Sequence, residues 1–422
     1  MRTLAEWLRL QESLHPQAID LTLERVTRVA QALGLTSPAF RVITVGGTNG
    51  KGSVAAHAEA LLRARSVYTG LFTSPHLVRY NERIRIGGVE ASDAELIDEF
   101  ERIEAARGAT TLTFFEYNAL AALGIFTRRR VEVAVLEVGL GGRLDATNLL
   151  DADVAVLASV GLDHRDWLGD SLEEIGAEKA GIFRRDRPAV LGTPEMPASV
   201  YAAIDRLGAR PLIAGRDFTF EVQGGRWSYR GPGVALERLA PPGLAGSIQY
   251  RNAATAIAAV AALPAATPLA GALDERSVNA ALAEVRLPGR LQIVPGPVEW
   301  ILDIAHNEPA ARVLAAHLRE RPAARRTLAV AGVLTDKDAA GIAAALAPLV
   351  DDWILCTLPG ARGGSAAELA ARFAPAVQHP LLADSVAAGC EIARTRARAG
   401  DRVVVFGSFH TVGPALEWLG LY

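Results

Sequence analysis

Short apolar runs alternate along this chain with stretches whose apolar residues recur every three or four positions. The runs Val42–Val45, Val67–Phe72, Val131–Val138, Val154–Val160 and Ala189–Gly192 predict buried strands, and the stretches between them predict helices. Strands alternating with helices imply a mostly parallel sheet with helices on both faces. The pattern changes over residues 215–235. There Phe218-Thr219-Phe220-Glu221-Val222, the pair Gly224-Gly225 and Arg226-Trp227-Ser228-Tyr229 predict a hairpin late in the first domain. Pro288-Gly289 and Pro295-Gly296-Pro297 then punctuate the chain as a linker would. Beyond them alternation resumes, with strands over Val298–Asp303, Thr327–Val333, Trp353–Thr357 and Arg402–Phe406. The predicted organisation is α/β: a P-loop-type, mostly parallel sheet domain over 1–287, a linker at 288–297, and a smaller Rossmann-like α/β domain over 298–422.

Composition narrows the setting. Half of the 422 residues are hydrophobic and 22% are charged, as in a well-packed globular protein. A net charge of -3 gives no reason to expect nucleic acid or a membrane surface as partner. Two cysteines, Cys356 and Cys390, cannot build a disulfide framework and fit a reducing compartment. The N-terminal stretch Met1–Glu12 has charges through every apolar segment, so it predicts an amphipathic helix and not a signal peptide. The longest uncharged run, Asn252 to Leu273, is alanine-rich and contains Pro264 and Pro268, which is too broken to span a bilayer. These features together predict a cytoplasmic protein.

The segment Val42-Ile43-Thr44-Val45-Gly46-Gly47-Thr48-Asn49-Gly50-Lys51-Gly52-Ser53 carries the most chemistry. A strand leads into four glycines, a lysine and a serine, and a helix follows at once. Glycines let backbone N–H groups approach phosphate oxygens, the helix N-terminus adds positive potential, and the lysine adds a point charge. A nucleoside triphosphate is the expected ligand. The strict P-loop pattern is not met: Val45 stands where its first glycine belongs and Gly52 where its hydroxyl belongs, with Ser53 one place later.

A second candidate is Glu137, which closes the run Val133-Ala134-Val135-Leu136 before the loop Val138-Gly139-Leu140-Gly141-Gly142. The carboxyl ends of parallel strands are where open α/β sheets bind ligands. A carboxylate buried there needs either a metal ion or an arginine to compensate it.

The loop G-T-N-G-K-G-S resembles that of the folate branch of the Mur ligase superfamily. So do the serine loop Thr73-Ser74-Pro75-His76-Leu77 with Arg79-Tyr80-Asn81-Glu82-Arg83 after it, Glu137 with its glycine loop, Asp163-His164, Glu178-Lys179-Ala180-Gly181, Arg251-Asn252, Pro288-Gly289-Arg290, Asp303-Ile304-Ala305-His306-Asn307, Gly332–Asp338 and Phe406–Val412, covering essentially the whole chain. The resemblance implies ATP held by Asn49, Gly50, Lys51, Gly52, Ser53, Asn252, Arg290 and Asp303. It implies two magnesium ions, one held by Ser74 and Glu137 and one by His164 and a carbamylated Lys179, with Lys51, His164 and Lys179 central to catalysis. Members that act on dihydropteroate are similar to this chain at Ile19-Asp20-Leu21, Leu112–Tyr117 and Leu144-Asp145-Ala146, and the resemblance implies a dihydropteroate site on Asp20-Leu21-Thr22, Thr113-Phe114-Phe115-Glu116 and Leu144-Asp145-Ala146. Phe115 would present an aromatic face to a flat ring and Asp145 an acceptor for ring N–H groups.

The activity so implied is bifunctional: ATP-driven addition of L-glutamate to dihydropteroate, and extension of the glutamate tail of reduced folates through an acyl phosphate, by a monomer. Extension alone, or another Mur-type amino-acid ligation, are the alternatives. A regulatory GTPase is disfavoured because Thr335-Asp336-Lys337-Asp338 does not supply an N-K-x-D guanine motif. Three departures stand out: Thr22 replaces a glycine, Glu308-Pro309 replaces Pro-His after His306-Asn307, and Ser53 stands where some members have threonine.

Overall fold

The computed structural model describes residues 2–17, 19–264, 273–360 and 362–422; Pro268, in the uncharged run noted above, lies outside them. The chain divides into two compact units. One comprises Met1–His76, Tyr80–Gly243 and Tyr250–Val285, and the other Leu77–Arg79, Leu244–Gln249 and Arg286–Tyr422. Among the described residues no helix is long and apolar enough to cross a membrane.

The first unit is built on eight strands: β1 (Arg41–Gly46), β2 (Thr69–Phe72), β3 (Ile84–Ile86), β4 (Val89–Glu90), β5 (Val133–Glu137), β6 (Val154–Leu157), β7 (Pro188–Leu191) and β8 (Arg210–Ile213). Their order across the sheet is β4-β3-β2-β5-β1-β6-β7-β8. From β2 to β8 all pairings are parallel, and β3 and β4 add an antiparallel edge. Strands β1, β5 and β6 are buried almost throughout, as their continuous apolar runs require. The register sets Val45 opposite Glu137 and Gly46 opposite Leu157, so the loops leaving β1, β5 and β6 emerge side by side.

The α-helices up to Arg129 are α1 (Leu4–Ser13), α2 (Glu24–Ala32), α3 (Lys51–Ala64), α4 (Asp93–Arg107) and α5 (Phe114–Arg129). Helices α1, α4 and α5 each begin with a capping box, Thr3 with Glu6, Ser92 with Glu95 and Thr113 with Glu116. Each box satisfies orphan N–H groups in both directions. The expected hairpin is present as β9 (Thr219–Gln223) and β10 (Arg226–Gly231), joined by a third antiparallel strand, β11 (Val234–Leu239).

The second unit holds β12 (Gln292–Val294), β13 (Glu299–Asp303), β14 (Thr327–Ala331), β15 (Asp352–Cys356), β16 (Leu381–Ala383) and β17 (Arg402–Phe406), in the order β12-β13-β17-β14-β15-β16. Alternate residues feed two cores. Ile301, Ala329, Leu355 and Val404 face one side, while Leu302, Leu328, Ile354 and Val403 face the other. Part of the stretch expected as linker is a strand: β12 pairs antiparallel with β13 at the sheet edge. Prolines at both ends of Gln292–Val294 mask it in the sequence, yet they suit a short edge strand that needs few donors.

Gly70 in β2 shows how tightly α5 lies on the sheet: a Cβ there would sit 2.6 Å from the Phe126 ring. Gly70→Ala should therefore lower the unfolding free energy by about 1–3 kcal/mol, as overpacked cores do. Denaturant titration would read this as an earlier midpoint, and an unchanged midpoint would contradict the close packing described.

Candidate active site

The glycine loop runs from the end of β1 to the first residue of α3. Gly47 and Gly50 have φ of 142° and 87°, which an L side chain rarely adopts. A Cβ on Gly47 would meet the Ser159 backbone at 3.1 Å, and one on Gly50 would meet Asn252 Oδ1 at 3.1 Å. The loop is fastened to the segment after β6. Thr48 N–H donates to Ser159 O at 2.8 Å, Asn49 N–H donates to Ser159 Oγ at 3.1 Å, and Gly161 N–H donates to Thr48 Oγ1 at 2.9 Å. The loop is thus fixed at the start of α3, and the N-terminus of a helix behind a glycine loop is an arrangement that binds anions. Gly52 and Ser53 are buried in the first turn of that helix.

Two lysines converge here. Lys51 Nζ donates to Gly47 O at 3.1 Å and to Thr48 O at 3.3 Å, and Lys179 Nζ donates to the same Gly47 O at 3.2 Å. Lys179 comes from the helix Leu172–Ala180, 132 residues away, and is only 5% exposed. Burial, helped by the charge of Lys51, pulls its pKa from an ordinary 10.5 to about 7, while Asp163 and Asp145 act the other way. His164 follows Asp163, whose Oδ1 accepts from the His164 N–H at 2.9 Å and lies 3.9 Å from its Nε2. His164 has a φ of 52° and sits at the N-cap position of the short helix Arg165–Leu168, with no side-chain bond to the cap. Non-glycine residues are uncommon in that left-handed region, histidine less so than most.

Glu137 is buried at the end of β5, and its Oε2 accepts from Ser74 N–H at 3.0 Å. The structure therefore brings Ser74 and Glu137 together, as expected. It also adds an arginine that the motifs alone did not single out. Arg83 is buried, its Nε donates to His76 Nδ1 at 2.7 Å, and its guanidinium lies 5.4 Å from the Phe114 ring. Burial draws its pKa down, and the charge of Glu137 is among the groups holding it up. Only its place after Glu82 in the serine-loop motif signals it in the sequence.

Among the described residues no group of three or more His, Cys, Asp or Glu side chains could hold a metal. That sparse donor set still fits magnesium, which takes one or two carboxylates and completes its shell with waters and substrate phosphates. One buried carboxylate and a serine beside a phosphate loop are enough for such a site.

The three segments expected to hold the acceptor differ in character. Phe115 stands over the loop after β5: a Cβ on Gly139 would lie 2.5 Å from its ring, and its ring centroid is 5.7 Å from that of Phe72. Phe114 packs near Tyr80, with ring centroids 6.2 Å apart. Thr113 and Glu116 are the capping box of α5, so each already serves the backbone. Leu144 is half-buried and Ala146 buried, beside a buried Asp145. Both oxygens of Asp145 accept within its own loop, Oδ2 from Leu140 N–H at 2.8 Å and Oδ1 from Thr147 N–H at 3.0 Å and Thr147 Oγ1 at 2.6 Å. Asp145 thus holds the loop's shape, and burial raises its pKa despite these bonds. At Asp20-Leu21-Thr22, Thr22 N–H donates to Asp20 O at 3.1 Å, and Leu21 is half-buried. Thr22 is not among the described residues with positive φ, so threonine meets no strain where glycine was expected.

In the second unit, Asp303 ends β13. Its Oδ2 accepts from Leu291 N–H and its Oδ1 from Ala305 N–H, both at 2.8 Å. Burial raises its pKa, and the neighbouring Arg290 opposes the rise. The Glu308-Pro309 departure has a local reason: Asn307 caps the helix Glu308–Glu320, and proline suits its first turn.

Residues 45–191 match the family model for the Mur ligase middle domain, and residues 289–409 that for the Mur ligase glutamate ligase domain. A dihydrofolate synthase/folylpolyglutamate synthase of Escherichia coli strain K12 is 44% identical, with 98% of this chain and 95% of the relative aligned. The chain belongs to the Mur ligase family, in that branch. Among solved structures, the Escherichia coli protein in complex with DHPP and ADP superposes with a TM-score of 0.93 at 43% identity, covering 100% of this chain and 98% of that one. A bifunctional folylpolyglutamate synthase/dihydrofolate synthase with Mn, AMPPNP and L-glutamate bound gives 0.90 at 41% identity, over 100% and 98%.

For this Mur ligase the lysine pair makes a prediction about pH. Below about pH 7 Lys179 is charged in both folded and unfolded chains, so the burial penalty is felt in full. Above that pH the folded protein sheds the proton while the unfolded chain keeps it up to the ordinary 10.5. The unfolded state then binds more protons, so stability rises with pH through this window. In carbon-dioxide-free buffer, the stability of the wild type relative to Lys179→Met should climb from pH 7 to 10 in denaturant titrations. A flat difference would contradict the depressed pKa.

Proposed function

We propose that this chain is an ATP-dependent amide ligase that joins L-glutamate to dihydropteroate and to the glutamate tail of reduced folates. The observation that carries the reading is the meeting of Lys51 and Lys179 on the carbonyl of Gly47, inside a glycine loop at a helix N-terminus. The names of the relatives and the ligands in their complexes support the choice of ATP, a divalent metal, glutamate and a folate precursor.

In this reading the acceptor's carboxylate attacks the γ-phosphorus of ATP in line, and the bond to ADP breaks. The product is an acyl phosphate, which replaces the poor oxide leaving group of a free carboxylate. The amine of glutamate then attacks the acyl carbon, loses a proton, and phosphate departs. Lys51, Asn49 and the N–H groups of Gly50, Gly52 and Ser53 hold the phosphates and meet the charge that develops on the transferred group. Asn252, Arg290 and Asp303 bind the rest of the nucleotide, the arginine as a planar fork for phosphate.

Ser74 and Glu137 are the residues that would hold one magnesium ion, and His164 and Lys179 a second. Bound magnesium would neutralise phosphate charge. Lys179 suits this role once carbamylated. With a pKa near 7 it is substantially neutral at physiological pH, so its lone pair can attack carbon dioxide. A new N–C bond forms as one C=O bond of carbon dioxide opens to C–O⁻, one proton leaves the nitrogen, and the neutral amine becomes an anion with two oxygens that a hard metal prefers. The acceptor's ring system is assigned to Asp20, Leu21, Thr22, Phe114, Phe115 and Leu144, with Thr113, Glu116, Asp145 and Ala146 shaping its walls. We assign the reaction to a monomer in the cytoplasm, where the buried thiols of Cys356 and Cys390 stay reduced.

The test is ADP release from ATP and L-glutamate with three acceptors in parallel: dihydropteroate, a monoglutamylated tetrahydrofolate and a UDP-muramyl precursor. Turnover with the first two and none with the third is expected. Lys51→Ala should lower kcat on the order of 10²–10³-fold, the loss that follows removal of one positioned contact to a transition state. Turnover with the UDP precursor alone, or a Lys51→Ala enzyme within a few-fold of wild type, would refute the reading.

A further inference from the structure

Arg25 lies outside every motif used above, yet it bridges two of the three segments assigned to the acceptor. It sits in the first turn of α2, which packs against α5 and against the 3-10 turn Ala146–Leu149 that follows the third segment. Its Nη1 donates to Asp20 Oδ2 at 2.6 Å and its Nη2 to Asp20 O at 3.2 Å. The same Nη2 donates to Glu116 Oε1 at 3.1 Å, across 91 residues of sequence. Glu116 Oε2 accepts from Thr113 N–H at 2.7 Å, so the far end of the bridge is the capping box itself. His15 Nε2 lies 3.5 Å from the same Asp20 oxygen and closes the near end. The side chains of Arg25 and Glu116 are 18% and 4% exposed, so the Arg25–Glu116 contact is far less screened than a surface pair.

We propose that Arg25 is a positioning residue for the acceptor site: it sets the separation between the Asp20-Leu21-Thr22 loop and the start of α5, and through it the width of the slot beside Phe115. This inference rests on the acceptor site assigned above. The geometry asks for arginine. One planar fork reaches a carboxylate, a main-chain carbonyl and a second carboxylate in fixed directions. A lysine in its place carries the charge but cannot direct donors at all three. Arg25 touches no group of the phosphate loop, so its influence should fall on acceptor binding and spare nucleotide binding.

Arg25→Lys is the informative change, because it keeps the charge that balances Asp20 and Glu116. The KM for dihydropteroate should rise about tenfold, the scale of one lost hydrogen bond to a charged group. The KM values for ATP and glutamate, and kcat at saturating acceptor, should stay within about twofold. Glu116→Gln cuts the other leg of the bridge while leaving an amide oxygen for the cap, and should raise the same KM. If both act through one bridge, the double variant will be no worse than the weaker-binding single variant, a non-additivity expected of contacting residues. Should Arg25→Lys fail to fold, the split between the acceptor and ATP KM values in Glu116→Gln decides the question alone. An unchanged acceptor KM, a uniform rise in all three KM values, or multiplicative effects in the double variant would overturn the inference. Absence of turnover by the wild type with either folate acceptor would overturn the activity reading and this inference together. Wild-type turnover with no KM split would overturn this inference only.

Discussion

One carbonyl oxygen, that of Gly47, accepts from two lysines, and the rest of the site is arranged around that crowding. Two charged amines on a single acceptor repel each other, and burial strengthens the repulsion because little water screens it. One resolution is for Lys179 to be neutral, and its pKa near 7 allows that. The other is for anions to enter: phosphate against Lys51 and a carbamate on Lys179. A loop fastened by Ser159 and Thr48 cannot relax away from the problem, so the crowding becomes a stored preference for negative charge.

Sheet topology explains why so few residues suffice. With β5 and β6 on either side of β1, the carboxyl ends of three parallel strands lie side by side, and β2 adds a fourth from beyond β5. The phosphate loop leaves β1, Glu137 ends β5, and the segment with Asp163 and His164 follows β6. Ser74 follows β2 by two residues and meets Glu137 through its backbone N–H. Each functional group needs only to sit at a strand end, where the register already holds it.

Much of this was legible because the signals were local. Long apolar runs mark β1, β5 and β6, and glycine with lysine after a strand marks the phosphate loop. Short or interrupted elements were not legible. β3 and β4 are brief, β8 contains Pro211 at a sheet edge, and β12 hides between prolines. The site residues divide in the same way. Lys51 and Glu137 announce themselves by position, whereas Arg25 and Arg83 gain meaning only from partners that folding supplies. Thr113 and Glu116 carried a second signal in the sequence, the S/T-x-x-E spacing of a capping box, and the structure shows that they fulfil it. Asp145 looked like a ligand acceptor, yet its oxygens first secure its own loop, a role that backbone geometry alone can reveal.

Lys179 is proposed to exist as a reactive neutral amine beside the phosphate loop and to work as a carbamate. Carbon-13 NMR of the enzyme in labelled bicarbonate at mildly alkaline pH, with magnesium and ADP, measures this most directly. One carbamate resonance is expected in the wild type, absent from Lys179→Met. A fully active, magnesium-loaded enzyme with no such resonance would contradict the carbamate.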